Sequence, residues 1–237
     1  MSRKIFRLLS LMVLLASTAV AQDNIHIRTH SYGSYWEFPL AMDDVNYFDF
    51  NADQSRLHAN VQGGVVVPFR SSEVDTITFQ NAPTTFTENH YKVFQMYITI
   101  NSGEAVTSKE EYVTCYVSVN GRGSYPHYSG KAKIRGRGNS TWEWYDKKPY
   151  RIKLDKKASI LGLEANKDWV LLANYRDVTD LMNTFVFEAG HFLDMPCTNH
   201  TRYTEVFLNG EYIGLYQLTE QVEQGEGRVA VDEQRGI

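Results

Sequence analysis

The sharpest alternation of polar and apolar positions lies between Lys131 and Leu154. Lys131, Lys133, Arg135 and Arg137 alternate with Ala132 and Ile134; after a glycine-containing loop, Arg151 and Lys153 alternate with Tyr150, Ile152 and Leu154. Period two predicts a hairpin with its cations on one face and its aliphatic residues on the other. Upstream, VFQMYITI and EEYVTCYVSV read as strands, and downstream DWVLLANY is the continuous apolar run of a buried strand. Asp177 or Thr179 caps a helix through about Leu193, with Leu181, Phe185, Glu188, Ala189 and Phe192 on one side, expected to face the core. TEVFLNGEYIGLYQL then predicts a hairpin across Asn209-Gly210, the strongest short turn signal in the chain.

The N-terminal third carries a weak duplication. Ile27 to Phe50 lies over Arg56 to Phe79 at a constant offset of 29 residues, so that Pro39 meets Pro68, Val45 meets Val74 and Phe50 meets Phe79. Each copy reads as strand, turn, strand, short acidic turn and a last short strand. Two hairpins bury little core, so they are expected to pair with each other or to dock on the larger domain C-terminal to them. The domain reading is a leader over 1–21, a small all-β module over 22–80, a polar linker over 81–91 and the main domain over 92–237.

Charge changes the picture in one place. The chain is acidic, with a formal net charge of −4, yet residues 131–157 hold ten Lys and Arg against three acids. An acidic chain with one basic hairpin argues against a general nucleic-acid partner and for a local anion site. Gly136 and Gly138 flank Arg137 and lead into Asn139, Ser140 and Thr141, so backbone amides and hydroxyls can approach a phosphate. The same alternation also describes the solvated face of an ordinary sheet, and both readings stand at this point.

At the start, Arg3, Lys4 and Arg7 precede an apolar stretch from Leu8 to Ala16 and Ala19-Val20-Ala21, the pattern of a secretory signal cleaved before Gln22. A secreted or extracytoplasmic location is expected, with no transmembrane segment after cleavage. Cys115 shares a face with Val113, Val117 and Val119 and reads as core, a disulfide with Cys197 being the alternative. No CxxC, HExxH or GxSxG motif is present.

GRGNSTW, KKPYRIKLDKKASILGL, NKDWVLLANYRD and EVFLNGEYIGLYQLTEQ, in that order, resemble the spore-coat protein H (CotH) kinase family, secreted or spore-associated atypical protein kinases. The resemblance runs from about Tyr97 to Arg228. It implies an α+β fold, mostly antiparallel sheet with one main helix, like the small lobe of a protein kinase. It also implies ATP and Mg2+ as cofactors and phosphoryl transfer to Ser or Thr of a protein. On the kinase analogy Arg135, Arg137, Gly138, Asn139, Ser140 and Thr141 surround the phosphates and Lys153 meets the α- and β-phosphates. Glu188 pairs with Lys153, and Leu218 to Val222, including Glu220 and Gln221, form the hinge at the adenine edge.

Two departures from the family qualify this expectation. Met182 stands where the family usually carries a basic residue before Asn183. The acidic groups that hold metal and orient the acceptor are expected after the hinge, yet Asp232 and Glu233 are the only acids beyond Arg228. The catalytic residues are therefore expected beyond Ile237, and the chain by itself is expected to be a weak kinase. The competing reading is a non-catalytic adhesin, with Trp142, Trp144 and Tyr145 as a platform for a glycan or protein.

Overall fold

The computed structural model describes residues 24–31, 34–80, 92–225, 228–231 and 234. The expected leader (1–21), the linker (81–91), Asp232 and Glu233 lie outside the described residues.

The first six strands are β1 (Asn24–Ser31), β2 (Ser34–Ala41), β3 (Val45–Phe50), β4 (Arg56–Val61), β5 (Val65–Arg70) and β6 (Val74–Gln80). They form two three-stranded sheets, ordered β2-β1-β6 and β3-β4-β5. The two copies of the repeat exchange their last strands. Ile25 and Ile27 of the first hairpin lie opposite Phe79 and Ile77 of the second copy, while Leu57 and Ala59 lie opposite Phe50 and Phe48 of the first. A lone hairpin is marginal in water, and the exchange gives each one a third strand. Alternate residues Ile27, Leu40, Ala59, Val61 and Val65 are sealed from solvent between these sheets and the body beneath.

Seven further strands close into a barrel: β7 (Phe94–Ile100), β8 (Val113–Asn120), β9 (Tyr128–Gly136), β10 (Tyr150–Ala158), β11 (Asn166–Leu172), β12 (Thr201–Leu208) and β13 (Glu211–Glu220). The order is β10-β11-β13-β12-β7-β8-β9, antiparallel throughout except for the β7–β12 pair. Ile134 faces Ile152, and Ala132 faces Leu154, inside the wall; Trp169, Leu171, Val206 and Leu218 complete the interior. The cations of β9 and β10 are turned outward, as alternation requires. The β12–β13 turn at Asn209-Gly210 has φ of 52° and 85°, the two positive values of a type I′ hairpin.

Every residue of β7 is buried, because its outer face is covered as well. Phe38 packs on Tyr97 at 4.2 Å between ring centroids, and Tyr97 stacks on Phe207 at 4.9 Å. The Tyr116 hydroxyl donates to Asp44 Oδ2 at 2.6 Å, and Ser118 donates to the Pro39 carbonyl. The N-terminal sheets thus roof β7, β8 and β12.

The α+β kinase small lobe expected from the resemblance is not the architecture. The chain is mostly β, and its main sheet is closed, with two α-helices among the described residues, α1 (Ser140–Trp144) and α2 (Met182–Phe192). The physical reason is the β7–β12 pair. It joins the two edges that an open sheet would leave free, so the apolar faces turn inward on each other and no face remains for a helix to cover. Helix α2 starts later than the sequence implies: its N-cap position is Leu181, not Asp177 or Thr179, although Asp177 Oδ2 accepts from the Met182 amide at 2.7 Å. Its orientation corrects the expectation: Phe185 and Phe192 are 74% and 87% exposed, Glu188 is exposed, and Gly190 is its one buried residue. Gly190 lies against Thr198, where a Cβ would come within 2.8 Å. Both cysteines are free, Cys115 in the barrel core and Cys197 exposed.

Candidate functional site

The outward faces of β9, β10 and β11 bring the cations into register. Arg135 lies opposite Arg151, and Lys133 opposite Lys153, an arrangement that leaves like charges side by side. One carboxylate relieves it. Asp168 on β11 lies opposite Lys153 and accepts from Arg151 Nε and Nη2 at 3.0 and 2.7 Å through Oδ1, with Lys153 Nζ 3.9 Å from Oδ2. Asp168 is nearly buried, and the carbonyl of the same residue accepts from Arg228 at 3.0 Å.

Arg137 has no such relief. Burial, and then the charge of Arg151 beside it, push its guanidinium below the ordinary arginine range. Arg135 stacks its guanidinium over Tyr112 at 5.0 Å, and its Nε is buried without a hydrogen-bond partner. Asp168 therefore serves Arg151 and Lys153, while Arg135 and Arg137 lie outside its ion pairs.

The loop between the strands is less open than its glycines imply. A Cβ at Gly136 would sit 2.4 Å from the Trp142 ring, so this glycine seats a tryptophan. The amides of Gly136 and Arg137 are already bonded to the carbonyls of Ser108 and Pro149. Gly138 does require glycine, since φ is +84° and a Cβ would meet Thr141 Oγ1 at 2.6 Å. Asn139, Ser140 and Thr141 follow at the start of α1, within reach of the same strip through the chain itself.

Residues 134–237 match the model of the family described as CotH kinase protein. The barrel's second half is CotH-like. No curated protein matches the chain. The match begins within β9, after Lys133, so the matched segment holds Arg135, Arg137 and Lys153, both helices and strands β10 to β13, whereas the motif resemblance runs from about Tyr97.

Within the CotH segment the expected residues do not all meet. Arg135, Arg137 and Lys153 share the strip. Glu188 makes no ion pair with Lys153, which faces Asp168 instead. Leu218 and Thr219 are paired on both sides, by β11 and β12, and Glu220 is paired by β11 with its carbonyl accepting from Asn199 at 2.8 Å, so their backbone groups are committed. Glu220 accepts from the His200 amide at 2.7 Å and lies beside His200 Nδ1 at 3.1 Å. Gln221 donates its amide to the Asp168 carbonyl at 3.5 Å, across β11 from Lys153. Glu220 and Gln221 border a crevice of only about 20 Å³, too small for a purine.

Sequence reasoning passed over Asp168 and Arg151 as site residues. The signal was present in NKDWVLL, where one acid in an apolar strand demands a cationic partner. Among the described residues no three His, Cys, Asp or Glu side chains are placed to hold a metal ion, and Asp168 is engaged by Arg151. The described donors do not fit a divalent ion, and no step is assigned through one.

Proposed function

We propose that the outer strip of β9 and β10 binds the phosphates of ATP, and that the chain belongs to an atypical kinase system transferring the γ-phosphoryl group to Ser or Thr of a protein. The observation that carries this is Arg137: a half-buried guanidinium whose charged neighbour is another guanidinium. An anion is what such a site lacks. Lys153 and Arg137 would neutralise phosphate oxygens. In the transfer, the acceptor oxygen bonds to the γ-phosphorus as the bond to the β–γ bridging oxygen breaks; ADP leaves and the hydroxyl proton is released. We also propose export, supported by the charged start, apolar core and Ala-Val-Ala site of residues 1–21. No helix among the described residues is long and apolar enough to cross a membrane.

Calorimetry of the full chain with ATP and magnesium tests the strip. Lys153→Ala and Arg137→Ala should each weaken binding by about 1–3 kcal/mol, roughly 5- to 150-fold, the scale of a charge-assisted hydrogen bond. Equal affinity in wild type and both variants would overturn the assignment. A second reading is favoured by Trp144, 72% exposed, and by the Tyr145–Tyr175 stack at 4.8 Å. This aromatic surface suits a non-catalytic adhesin, and saturable binding to a glycan or protein surface without nucleotide would select it. Trp142 is not part of that platform, since it packs against the barrel core.

A further inference from the structure

A second polar site lies away from the CotH segment, where the N-terminal sheets meet the barrel. It is an open cleft of about 410 Å³, a volume in the range of small-ligand pockets. Three cations border it from three separate segments: Arg28 on β1, Lys92 just before β7, and Arg122 just after β8. Arg122 is held in a left-handed backbone conformation, φ 46°, with its Nη1 donating to the Val93 carbonyl at 3.1 Å and its own carbonyl accepting from Lys92. A non-glycine residue there costs about 1 kcal/mol or more and persists where the surroundings impose it. Lys92 and Arg122 are thereby fixed beside each other despite like charge.

The floor and wall are of a different chemistry. Gln95 and Asn120 lie at the floor, 5% and 2% exposed, joined to each other at 3.4 Å; Asn120 also donates to the Glu37 carbonyl and accepts from the Arg122 amide, and Gln95 accepts from the Tyr97 hydroxyl. Trp36 forms a wall, and the Glu37 carboxylate is the acid among the bordering residues. The Glu205 carboxylate, hydrogen-bonded to Gln95, lies near Arg122, so three cations meet two acids at this junction. Aromatic wall and guanidinium rim suit a sugar ring that carries a carboxylate: ring C–H groups against indole, and the carboxylate on the guanidiniums.

An extended peptide is disfavoured by the backbone. Strand β2 is the sheet edge beside the cleft, but its outward groups are already used. The Glu37 carbonyl accepts from Asn120 at 3.0 Å, the Pro39 carbonyl accepts from Ser118, and the Ala41 amide donates to Ser129 at 2.8 Å. Along residues 37–41, β2 therefore does not offer a free edge for strand addition. We infer that this junction cleft binds an acidic saccharide of the uronate type, with Arg28 and Arg122 on its carboxylate. The inference does not depend on the nucleotide reading of the opposite strip.

The test is titration of the full chain with trigalacturonate, followed by saturation-transfer NMR and calorimetry, with cellotriose as the neutral counterpart. Saturable binding of trigalacturonate is expected, with cellotriose at least about tenfold weaker, and a loss of about tenfold or more in Arg28→Gln/Arg122→Asn. Asn tolerates the left-handed backbone of position 122, so the double variant keeps its fold, checked by circular dichroism. Lys92→Gln, at the rim, gives a second reading should that variant unfold. Lys153→Ala should bind trigalacturonate as wild type does, which separates this site from the nucleotide strip. Absence of saturable binding, equal binding of cellotriose, or retention of full affinity in the cleft variants would each overturn the inference. So would a glutamate tripeptide that binds as tightly as the uronate.

Discussion

Strand β10 and helix α2 hold similar apolar side chains and give them opposite surroundings. Tyr150, Ile152 and Leu154 of β10 are 7%, 1% and 1% exposed, whereas Phe185 and Phe192 of α2 stand in solvent. β10 has a partner strand on each side and a barrel interior to face; α2 touches the barrel through Thr184, which accepts from Gln217 of β13, while Gly190 lies against Thr198 in the loop before β12. Periodicity identifies which residues share a face, and only the neighbouring elements decide whether that face is buried. The same contrast separates the charges. Arg151 is satisfied by a carboxylate across the ladder, while Arg137, where the strand has ended, is left with a cation for company.

The largest effect that bears on this contrast is expected in the barrel. Trp169→Ala removes a side chain with no exposed surface, and should cost about 3–5 kcal/mol in denaturant unfolding. A loss below about 1 kcal/mol would mean that the barrel interior is not the stabilising core. Next in size is Asp168→Asn, expected to cost about 2 kcal/mol because it leaves Arg151 and Lys153 without their acid. In an Arg151→Gln background that cost should shrink by about 1 kcal/mol or more; strictly additive losses would show that the two residues are uncoupled. The smallest effect is assigned to α2. Phe185→Ser with Phe192→Ser should change stability by no more than about 0.5 kcal/mol per site and reduce self-association in sedimentation, since both rings are already in water. A combined loss above about 2 kcal/mol would place a packing partner over the helix and erase the contrast.

Local signals in the sequence carried far. The Asn209-Gly210 turn and the outward cations of β9 and β10 are where nearest-neighbour chemistry puts them, whereas α2 begins at Met182, past the expected caps Asp177 and Thr179. Barrel closure was not legible, because it rests on Phe94 meeting Thr204, and no local pattern announces a partner so far along the chain. The strip was legible as far as Arg135, Arg137 and Lys153 are concerned, since alternation fixes their side. The Lys153–Glu188 pair was drawn from analogy with an open lobe, and a closed barrel does not bring the helix carboxylate to that strand. Asp168 escaped notice inside an apolar run, although the register that sets it opposite Lys153 is what organises the cations. Gly136 was read as room for a ligand; the room is taken by Trp142.

The parallel pairing of β7 with β12 fixes an order of assembly as the chain leaves the ribosome. β7 emerges with one ladder edge vacant, and the strand that fills it is made only after β8 to β11. An unpaired apolar edge invites pairing with other chains. The two interlocked N-terminal sheets are complete by Gln80, before β7 exists, and Phe38 and Asp44 already present the groups that receive Tyr97 and Tyr116. The N-terminal sheets thus serve the barrel as a built-in mould, holding its first two strands in place until β12 arrives to seal the wall.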